Sequence, residues 1–137
     1  MSRKISDCVP ELQEAWYYGR DEWQKRYSSL PVPFLTCTFR SNTEQGILYK
    51  QGRTKPGAIV TWAKPGNSPH NFTPSYAFDV AFLTPQKTLD WDEELFRLFA
   101  DILKERQHVE WGGNWARGKK DFPHFQIKNW RKLLTAK

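Results

Sequence analysis

The feature that most constrains the fold is a strongly amphipathic segment at residues 90–107, "DWDEELFRLFADILKERQ". Asp90 stands where a residue that caps a helix N-terminus belongs. The apolar side chains recur at the three- and four-residue spacing of one helix face, and they are Leu95, Leu98, Phe99, Ile102 and Leu103. A helix with one apolar face has to bury that face against another element, so we expect a core built around this helix.

The remaining predicted elements mix helices with short strands. Helices are predicted at residues 9–27, from Ser41 to near Gly52, and at 128–137; the second begins with a capping box in which Glu44 follows Ser41 by three residues. Strands are predicted at residues 33–39, 58–62 and 76–83, in "VEWGGNW", and in "HFQI". This order predicts an α+β fold, a small antiparallel sheet flanked by helices.

The length of 137 residues fits one domain with one core, which we expect to span residues 1–137 without a separate second domain. No apolar run approaches the ~20 residues that cross a bilayer, and the first residues lack a signal-peptide pattern. We therefore expect a protein that is made in the cytoplasm and does not insert stably into a membrane. We also expect it to be a monomer. Cys8 and Cys37 are too few for a disulfide framework and are predicted to be buried free thiols.

The net charge of +6 and the isoelectric point of about 9.4 suit a polyanionic partner. Nucleic acid, anionic lipid and an anionic cell wall all meet that description, and charge alone does not choose among them. No helix-turn-helix, zinc-finger or RNA-binding signature accompanies the basic residues. The one basic cluster, "RGKK" at residues 117–120, is interpreted as a solvated loop.

Three residues supply the His and carboxylate ligands that catalytic zinc sites use, and they are His70, Asp79 and His124. Asp121 precedes the last of them by three residues and could take a proton from a water at the metal. Each histidine taken singly is more often a surface or hydrogen-bonded residue. Asp79 lies between apolar neighbours in a predicted strand, so it needs a partner, which could be a metal, Arg40 or Arg53. The third histidine, His108, is interpreted as structural.

Several motifs together resemble a known family. Ser68, His70, Ala77 and Asp79 form "S-x-H…A-x-D", and residues 121–125 form "D-x-P-H-F". With "FRSNTEQGILYKQGRTKPGAIVTWAKPGNSPHNF" and "VEWGGNW", they resemble the zinc D,D-peptidase and L-alanyl-D-glutamate endopeptidase family, which includes phage endolysins and bacterial wall hydrolases. The resemblance runs from about residue 39 to residue 127. It implies a D,D-peptidase-like (hedgehog-type) single domain.

The resemblance also implies a role for each matched residue. Zinc would be bound by His70, Asp79 and His124. Asp121 would be the general base, Arg40 would stabilise the oxyanion, and Ser68 would support the first ligand. The segment "NFTPSY" is two residues longer than in many members of the family, and residues 73–75 are expected to turn outward.

Three further residues are candidates for the site, and each also has a structural interpretation. Trp111 and Trp115 are predicted to wall either the site or the core. Arg53 could contact substrate, but a structural ion pair is the more frequent role for such a residue.

The family implies hydrolysis of the L-alanyl-D-glutamate bond in the peptide stem of peptidoglycan, which would cause cell-wall lysis once the membrane is permeabilised. Two alternatives stay open. One is a D-alanyl-D-alanine carboxypeptidase or dipeptidase with the same zinc site. The other is a binding module that grips the wall, or nucleic acid, through basic and tryptophan side chains; an endopeptidase would have peptidoglycan and not nucleic acid as its partner.

Overall fold

A computed structural model describes residues 1–135 of the chain. The helices are α1 (Pro10–Arg26), α2 (Asn42–Lys50), α3 (Glu93–Leu103) and α4 (Trp130–Thr135). The strands are β1 (Val32–Cys37), β2 (Ala77–Leu83), β3 (Val109–Trp111) and β4 (His124–Ile127). Of the predicted C-terminal helix, residues 136 and 137 lie outside the described residues.

The four strands form one sheet in the order β1-β2-β4-β3, and each neighbouring pair is antiparallel. Side chains alternate between the two faces of a strand. On β2, Phe78, Val80 and Phe82 join the apolar core, which also contains buried side chains of α1 and α3. The residues between them, including Asp79, therefore face the other side of the sheet. The predicted α+β class is confirmed.

The amphipathic helix is confirmed, but its start differs from the prediction. Asp92, and not Asp90, caps α3 by accepting a hydrogen bond from the Glu94 backbone N–H. Asp90 instead accepts one from the backbone N–H of Asp92, so it stabilises the turn before the helix. The apolar face is as expected except that Leu98 is only partly buried.

The capping box of α2 is confirmed, because the Ser41 hydroxyl accepts from the Glu44 N–H and the Glu44 carboxylate accepts from the Ser41 N–H. The strand predicted at 58–62 is wrong. No strand among residues 1–135 pairs with that segment, which exposes Ile59 and Val60, so its β-branched side chains do not pack in a sheet. Thr61 and its neighbours are fixed instead by side chains of other segments.

Residues 73–75 turn outward only in part. Thr73 is exposed, but Ser75 is buried and pairs through its backbone with Asp7 and Val9 at the start of the chain. Both cysteines are buried and free, as predicted, and burial raises the pKa of Cys8 to about 12. No helix within residues 1–135 is long and apolar enough to cross a membrane.

Candidate metal centre

The register of the sheet brings two of the predicted ligands together. Asp79 on β2 is directly opposite His124 on β4, and on its other side it is paired with Cys37 at the end of β1. Directly opposed residues of antiparallel strands project their side chains from the same face, about 5 Å apart. Strand pairing alone therefore places the Asp79 carboxylate beside the His124 imidazole.

The third predicted ligand comes from a loop that is tied to the sheet. His70 lies in a 3-10 turn that begins after Ser68, whose hydroxyl accepts a hydrogen bond from the His70 N–H at 3.2 Å. The carbonyl of His70 accepts from the Arg40 N–H at 2.9 Å, which fixes the turn to the chain just after β1. Ser68 thus lies where the family resemblance would have it, beside the first ligand.

Two imidazole nitrogens on this face of the sheet approach the same carboxylate oxygen. His70 Nε2 is 3.2 Å and His124 Nδ1 is 3.0 Å from the same oxygen, Oδ1 of Asp79. Both histidines are buried, and Asp79 keeps 19% of its side-chain surface exposed. The sequence prediction that these residues come together is therefore supported by the geometry.

Each imidazole has a second hydrogen-bond partner on the side away from Asp79. That partner determines which ring nitrogen carries the proton in the neutral form. His70 Nδ1 is 2.8 Å from the carbonyl oxygen of Thr38, so it carries the proton and donates it there. Gln126 gives its amide N–H to Glu110, so its oxygen faces His124 Nε2 at 2.8 Å and accepts that proton. In the neutral imidazoles, His70 Nε2 and His124 Nδ1 then both present lone pairs.

Two imidazole lone pairs and a carboxylate oxygen repel one another unless positive charge lies among them. Burial lowers the pKa of His70, but Asp79 outweighs it and raises that pKa to about 10, so a proton on Nε2 supplies this positive charge where no ion does. Burial likewise raises the pKa of Asp79, but the two histidines hold it far below its usual range. Two nitrogens and one carboxylate oxygen are also the ligand set of a catalytic zinc site, so the residues fit such an ion.

Cys37, His70 and Asp79 also come close enough to share an ion. However, Cys37 Sγ lies 3.7 Å from His70 Nδ1, which is the nitrogen that already donates to Thr38. The nitrogen that faces Asp79 is on the far side of the ring. His124 Nδ1, in contrast, faces the same Asp79 oxygen as His70 Nε2, and on that ground we take His124 as the third candidate ligand.

Arg40 is buried against the cluster. Its Nη2 is 3.6 Å from the second oxygen of Asp79, and its Nη1 donates to Gln45 Oε1 at 2.9 Å. Its Nε is buried and has no hydrogen-bond partner among residues 1–135. The guanidinium thus has an N–H still free to donate a hydrogen bond beside Asp79. Of the two arginines that the sequence offered as partners of Asp79, Arg40 is the one that pairs with it.

Asp121 approaches the cluster through a close backbone contact. Its N–H donates to the Gly112 carbonyl at 3.0 Å, and a Cβ on Gly112 would collide with the carbonyl oxygen of Asp121. Burial raises the pKa of Asp121, and the charge of Asp79 adds to that effect, whereas His124, His70 and Arg40 oppose it. Asp121 is also joined to the cluster through its carbonyl, which accepts a hydrogen bond from the His124 N–H at 3.2 Å.

Comparison with known proteins bears on this site. The peptidoglycan L-alanyl-D-glutamate endopeptidase CwlK of Bacillus subtilis (strain 168) is 40% identical in an alignment of 102 residues. The alignment covers 68% of this chain and 59% of CwlK. The chain is a relative of the L-alanyl-D-glutamate endopeptidases. This confirms the resemblance that the motifs indicate, and the aligned part spans less than two thirds of the curated relative.

A solved structure has the same fold. The L-Ala D-Glu endopeptidase ChiX of Serratia marcescens superposes with a TM-score of 0.65 at 22% identity, over 94% of this chain and 86% of ChiX. No protein-family model matches the sequence. The α+β architecture is therefore that of a known endopeptidase structure, and the likeness at this identity concerns the fold.

The two tryptophans of "VEWGGNW" take different places in this endopeptidase-like fold. Trp111 is buried, stacks on Phe125 and donates to the Phe122 carbonyl at 2.7 Å, so it belongs to the core. The Trp115 ring is 5.2 Å from that of His124, and it also borders a hollow of about 510 Å³ between α3 and the β3–β4 edge. Trp115 is the tryptophan that walls the candidate site.

The remaining candidates lie outside the cluster. Arg53 donates to the carbonyls of Tyr49 and Thr61, and no carboxylate among residues 1–135 pairs with it, so the expected structural ion pair is replaced by hydrogen bonds to backbone. His108 lies beside the Glu11 carbonyl at 3.5 Å, near the start of α1. Residues 117–120 are exposed, as interpreted from the sequence.

Sequence reasoning missed the side chains and carbonyls that orient the site. They are Thr38, Gln45, Gln126 and Glu110. One signal for Gln126 was available, because it lies two residues after His124 on the same strand and so on the same face. The other partners are far from the ligands in sequence, and only the folded chain brings them close.

Proposed function

We propose that this protein is a zinc-dependent peptidoglycan endopeptidase that hydrolyses the L-alanyl-D-glutamate bond of the peptide stem. The observation that carries this proposal is the convergence of His70 Nε2, His124 Nδ1 and Asp79 Oδ1, with the proton of each imidazole drawn to its outer side. The similarity to CwlK, an L-alanyl-D-glutamate endopeptidase, supports the choice of bond.

The zinc ligands in this proposal are His70, Asp79 and His124. A zinc ion supplies Lewis acidity, which polarises a carbonyl and makes water a nucleophile near neutral pH. The protein holds its ligands rigid, since two of them lie on paired strands and the third is fixed by backbone hydrogen bonds. Ser68 supports the turn that presents His70.

Asp121 is the proposed general base. It would accept a proton from the attacking water and pass it to the amine that leaves as the peptide bond breaks. Its burial and the neighbouring Asp79 charge favour proton uptake at this carboxyl, because both raise its pKa. Its backbone is fixed to Gly112, so its side chain has a defined origin beside His124.

Arg40 is the proposed stabiliser of the negative charge that develops on the carbonyl oxygen. A fixed cation aimed at such charge in a site with little water contributes several kcal/mol, as oxyanion-hole donors do at about 3–4 kcal/mol. Arg40 is buried, is held by Gln45, and keeps an unpartnered Nε.

The test is mass spectrometry of purified peptidoglycan digested with the protein, with and without a zinc chelator. The expected result is the release of fragments with a new N-terminal D-glutamate. These fragments should disappear on chelation and return with added zinc. Cleavage that persists at full rate in chelator would contradict the metal dependence.

The same digest discriminates the alternatives. Release of free D-alanine would keep the metal mechanism and assign a D,D-carboxypeptidase or dipeptidase activity. Binding to the wall without any cleavage, by folded protein loaded with zinc, would indicate a binding module. The resemblance of the segment before His70 to the endopeptidase branch favours the first reading.

We further propose that the protein acts in cell-wall lysis as an endolysin does, reaching the wall from the cytoplasm once the membrane is permeabilised. Added protein should clear a suspension of chloroform-permeabilised bacteria and leave intact cells turbid. Equal clearing of intact cells, or none of permeabilised ones, would contradict this role.

A further inference from the structure

The positive charge of this chain is concentrated in two segments. Residues 45–78 and 111–120 contain seven basic residues and no acidic one: Lys50, Arg53, Lys55, Lys64, Arg117, Lys119 and Lys120. The rest of the chain holds the other fourteen basic residues against all fifteen acidic ones. The net charge of +6 therefore originates in these two segments.

None of these seven cations forms an ion pair with a carboxylate among residues 1–135. Cations elsewhere do, as Arg26 does with Glu22 and Arg106 does with Glu14. The charge of the two segments is thus not balanced by carboxylates within the described part of the protein.

The two segments meet at one exposed tryptophan. The Arg53 guanidinium lies 5.7 Å and the Lys119 ammonium 5.8 Å from the centre of the Trp62 ring, within the range of a cation–π contact. Trp62 is 57% exposed. We call residues 50–64 and 117–120 the cationic rim.

The cationic rim is attached to the candidate metal centre on both sides. Gln45 donates to the hydroxyl of Thr61 and to the carbonyl of Ala63, the two neighbours of Trp62, and its oxygen accepts from Arg40 beside Asp79. On the other side, Lys119 precedes Asp121 by only two residues. Trp62 is thus connected to the metal centre through Gln45 and, through its contact with Lys119, to the segment that leads into Asp121.

The chemistry of the proposed substrate complements this rim. A glutamate inside a peptide stem uses one of its two carboxyl groups in the next amide, so the other remains a free carboxylate unless it is amidated. That carboxylate is the anion nearest the bond that the proposed function cleaves. An exposed cation near an aromatic ring can bind it while the ring packs on the peptide backbone.

We propose that the cationic rim selects stems whose glutamate carboxylate is free, with Lys119 binding the carboxylate and Trp62 packing against the peptide. The inference rests on the proposed function for the identity of the substrate. The rim then distinguishes free from amidated stems, a distinction that the metal ligands cannot make.

The test compares two soluble peptides, acetyl-L-Ala-D-Glu-L-Lys-amide joined through the glutamate side chain, with the glutamate α-carboxylate either free or amidated. Dissociation constants are measured by calorimetry on zinc-loaded Asp121→Asn protein, which binds without turnover. The readout is the preference, which is the dissociation constant of the amidated peptide divided by that of the peptide with a free carboxylate. Lys119→Gln is compared with Lys25→Gln, which removes the same charge from α1.

We expect a preference of roughly tenfold at low salt, reduced about threefold by Lys119→Gln and unchanged by Lys25→Gln, since one exposed charge pair changes affinity by at most about fivefold. Trp62→Ala should weaken both peptides. Equal binding of the two peptides, or a preference that Lys119→Gln leaves intact, would overturn the inference. If the proposed function is wrong, the unsubstituted protein will cleave neither peptide. The binding titrations still decide whether the preference exists.

Discussion

The candidate metal centre and the cationic rim lie side by side, yet they are built in opposite ways. The two histidines of the centre are buried, and two of its three proposed ligands lie on paired strands. The rim is exposed and irregular, and Gln45 is the buried side chain that ties it to the centre. The sheet register positions Asp79 and His124, whereas side-chain hydrogen bonds such as those of Gln45 and Arg53 hold the rim.

This difference predicts how the two regions respond to change. A substitution in the cluster should affect metal binding and hydrolysis together, since the atoms act as one set. A substitution in the rim should change affinity for the substrate and leave the metal in place. The predictions below separate the regions on that basis, beginning with the largest effect.

His124→Ala should remove bound zinc and reduce hydrolysis by roughly a thousandfold or more, because the metal supplies several kcal/mol of transition-state stabilisation. Metal content by elemental analysis and fragment release from peptidoglycan check both parts. His108→Ala is the matched control and should keep both. A zinc-free but active His124→Ala protein would refute the role of this cluster.

Asp121→Asn should keep zinc and lose about 10²–10⁴ of the rate, since the amide cannot take the proton of the attacking water. Zinc titration and kcat measured on the same preparation separate the two effects. Full activity of this variant would rule out Asp121 as the base.

Gln126→Leu should weaken zinc binding by about 10- to 100-fold, because the leucine no longer accepts the proton of His124 Nε2 and leaves the ring free to turn. Competition with a chelator of known affinity measures the loss. Gln107→Leu, at an exposed site, serves as control. Unchanged zinc affinity would show that Gln126 does not orient the ligand.

Gln45→Leu should act on the rim and not on the metal. The Arg40 guanidinium and the Ala63 carbonyl would lose their partner, and a buried unsatisfied group costs about 1–3 kcal/mol of unfolding free energy. We expect weaker substrate binding with unchanged zinc stoichiometry, checked by denaturant unfolding and KM. Loss of zinc would show that the two regions are not separable.

Ser41→Ala should have the smallest effect. It removes the N-cap of α2 and lowers the free energy of unfolding by about 1 kcal/mol. Zinc affinity and kcat should stay as they are, because α2 supports the rim through Gln45 and contributes no ligand. A fall in zinc affinity would place α2 in the cluster instead.

The sequence predicted best where the cause is local. The capping box at Ser41 and the apolar stripe of α3 depend on residues within a few positions, and the structure has both. The cap of α3 is at Asp92 and not Asp90, because two aspartates two residues apart both suit a turn and only the folded backbone chooses. The strand at 58–62 was predicted from β-branched residues that are in fact exposed.

The candidate site divides in the same way. His70, Asp79 and His124 could be proposed from residue type, motif and resemblance. The partners that set their tautomers could not, since the Thr38 carbonyl and the Glu110 carboxylate are 32 and 16 residues away from the groups they contact. The rim required both the charge pattern and the meeting of two loops at Trp62.

The most direct test of the central claim is a crystal structure of the protein with zinc, with anomalous data collected across the zinc absorption edge. The account predicts one peak about 2.0–2.2 Å from His70 Nε2, His124 Nδ1 and a carboxylate oxygen of Asp79. A peak bound by Cys37 in place of His124, or no peak at the cluster with zinc in excess, would contradict it.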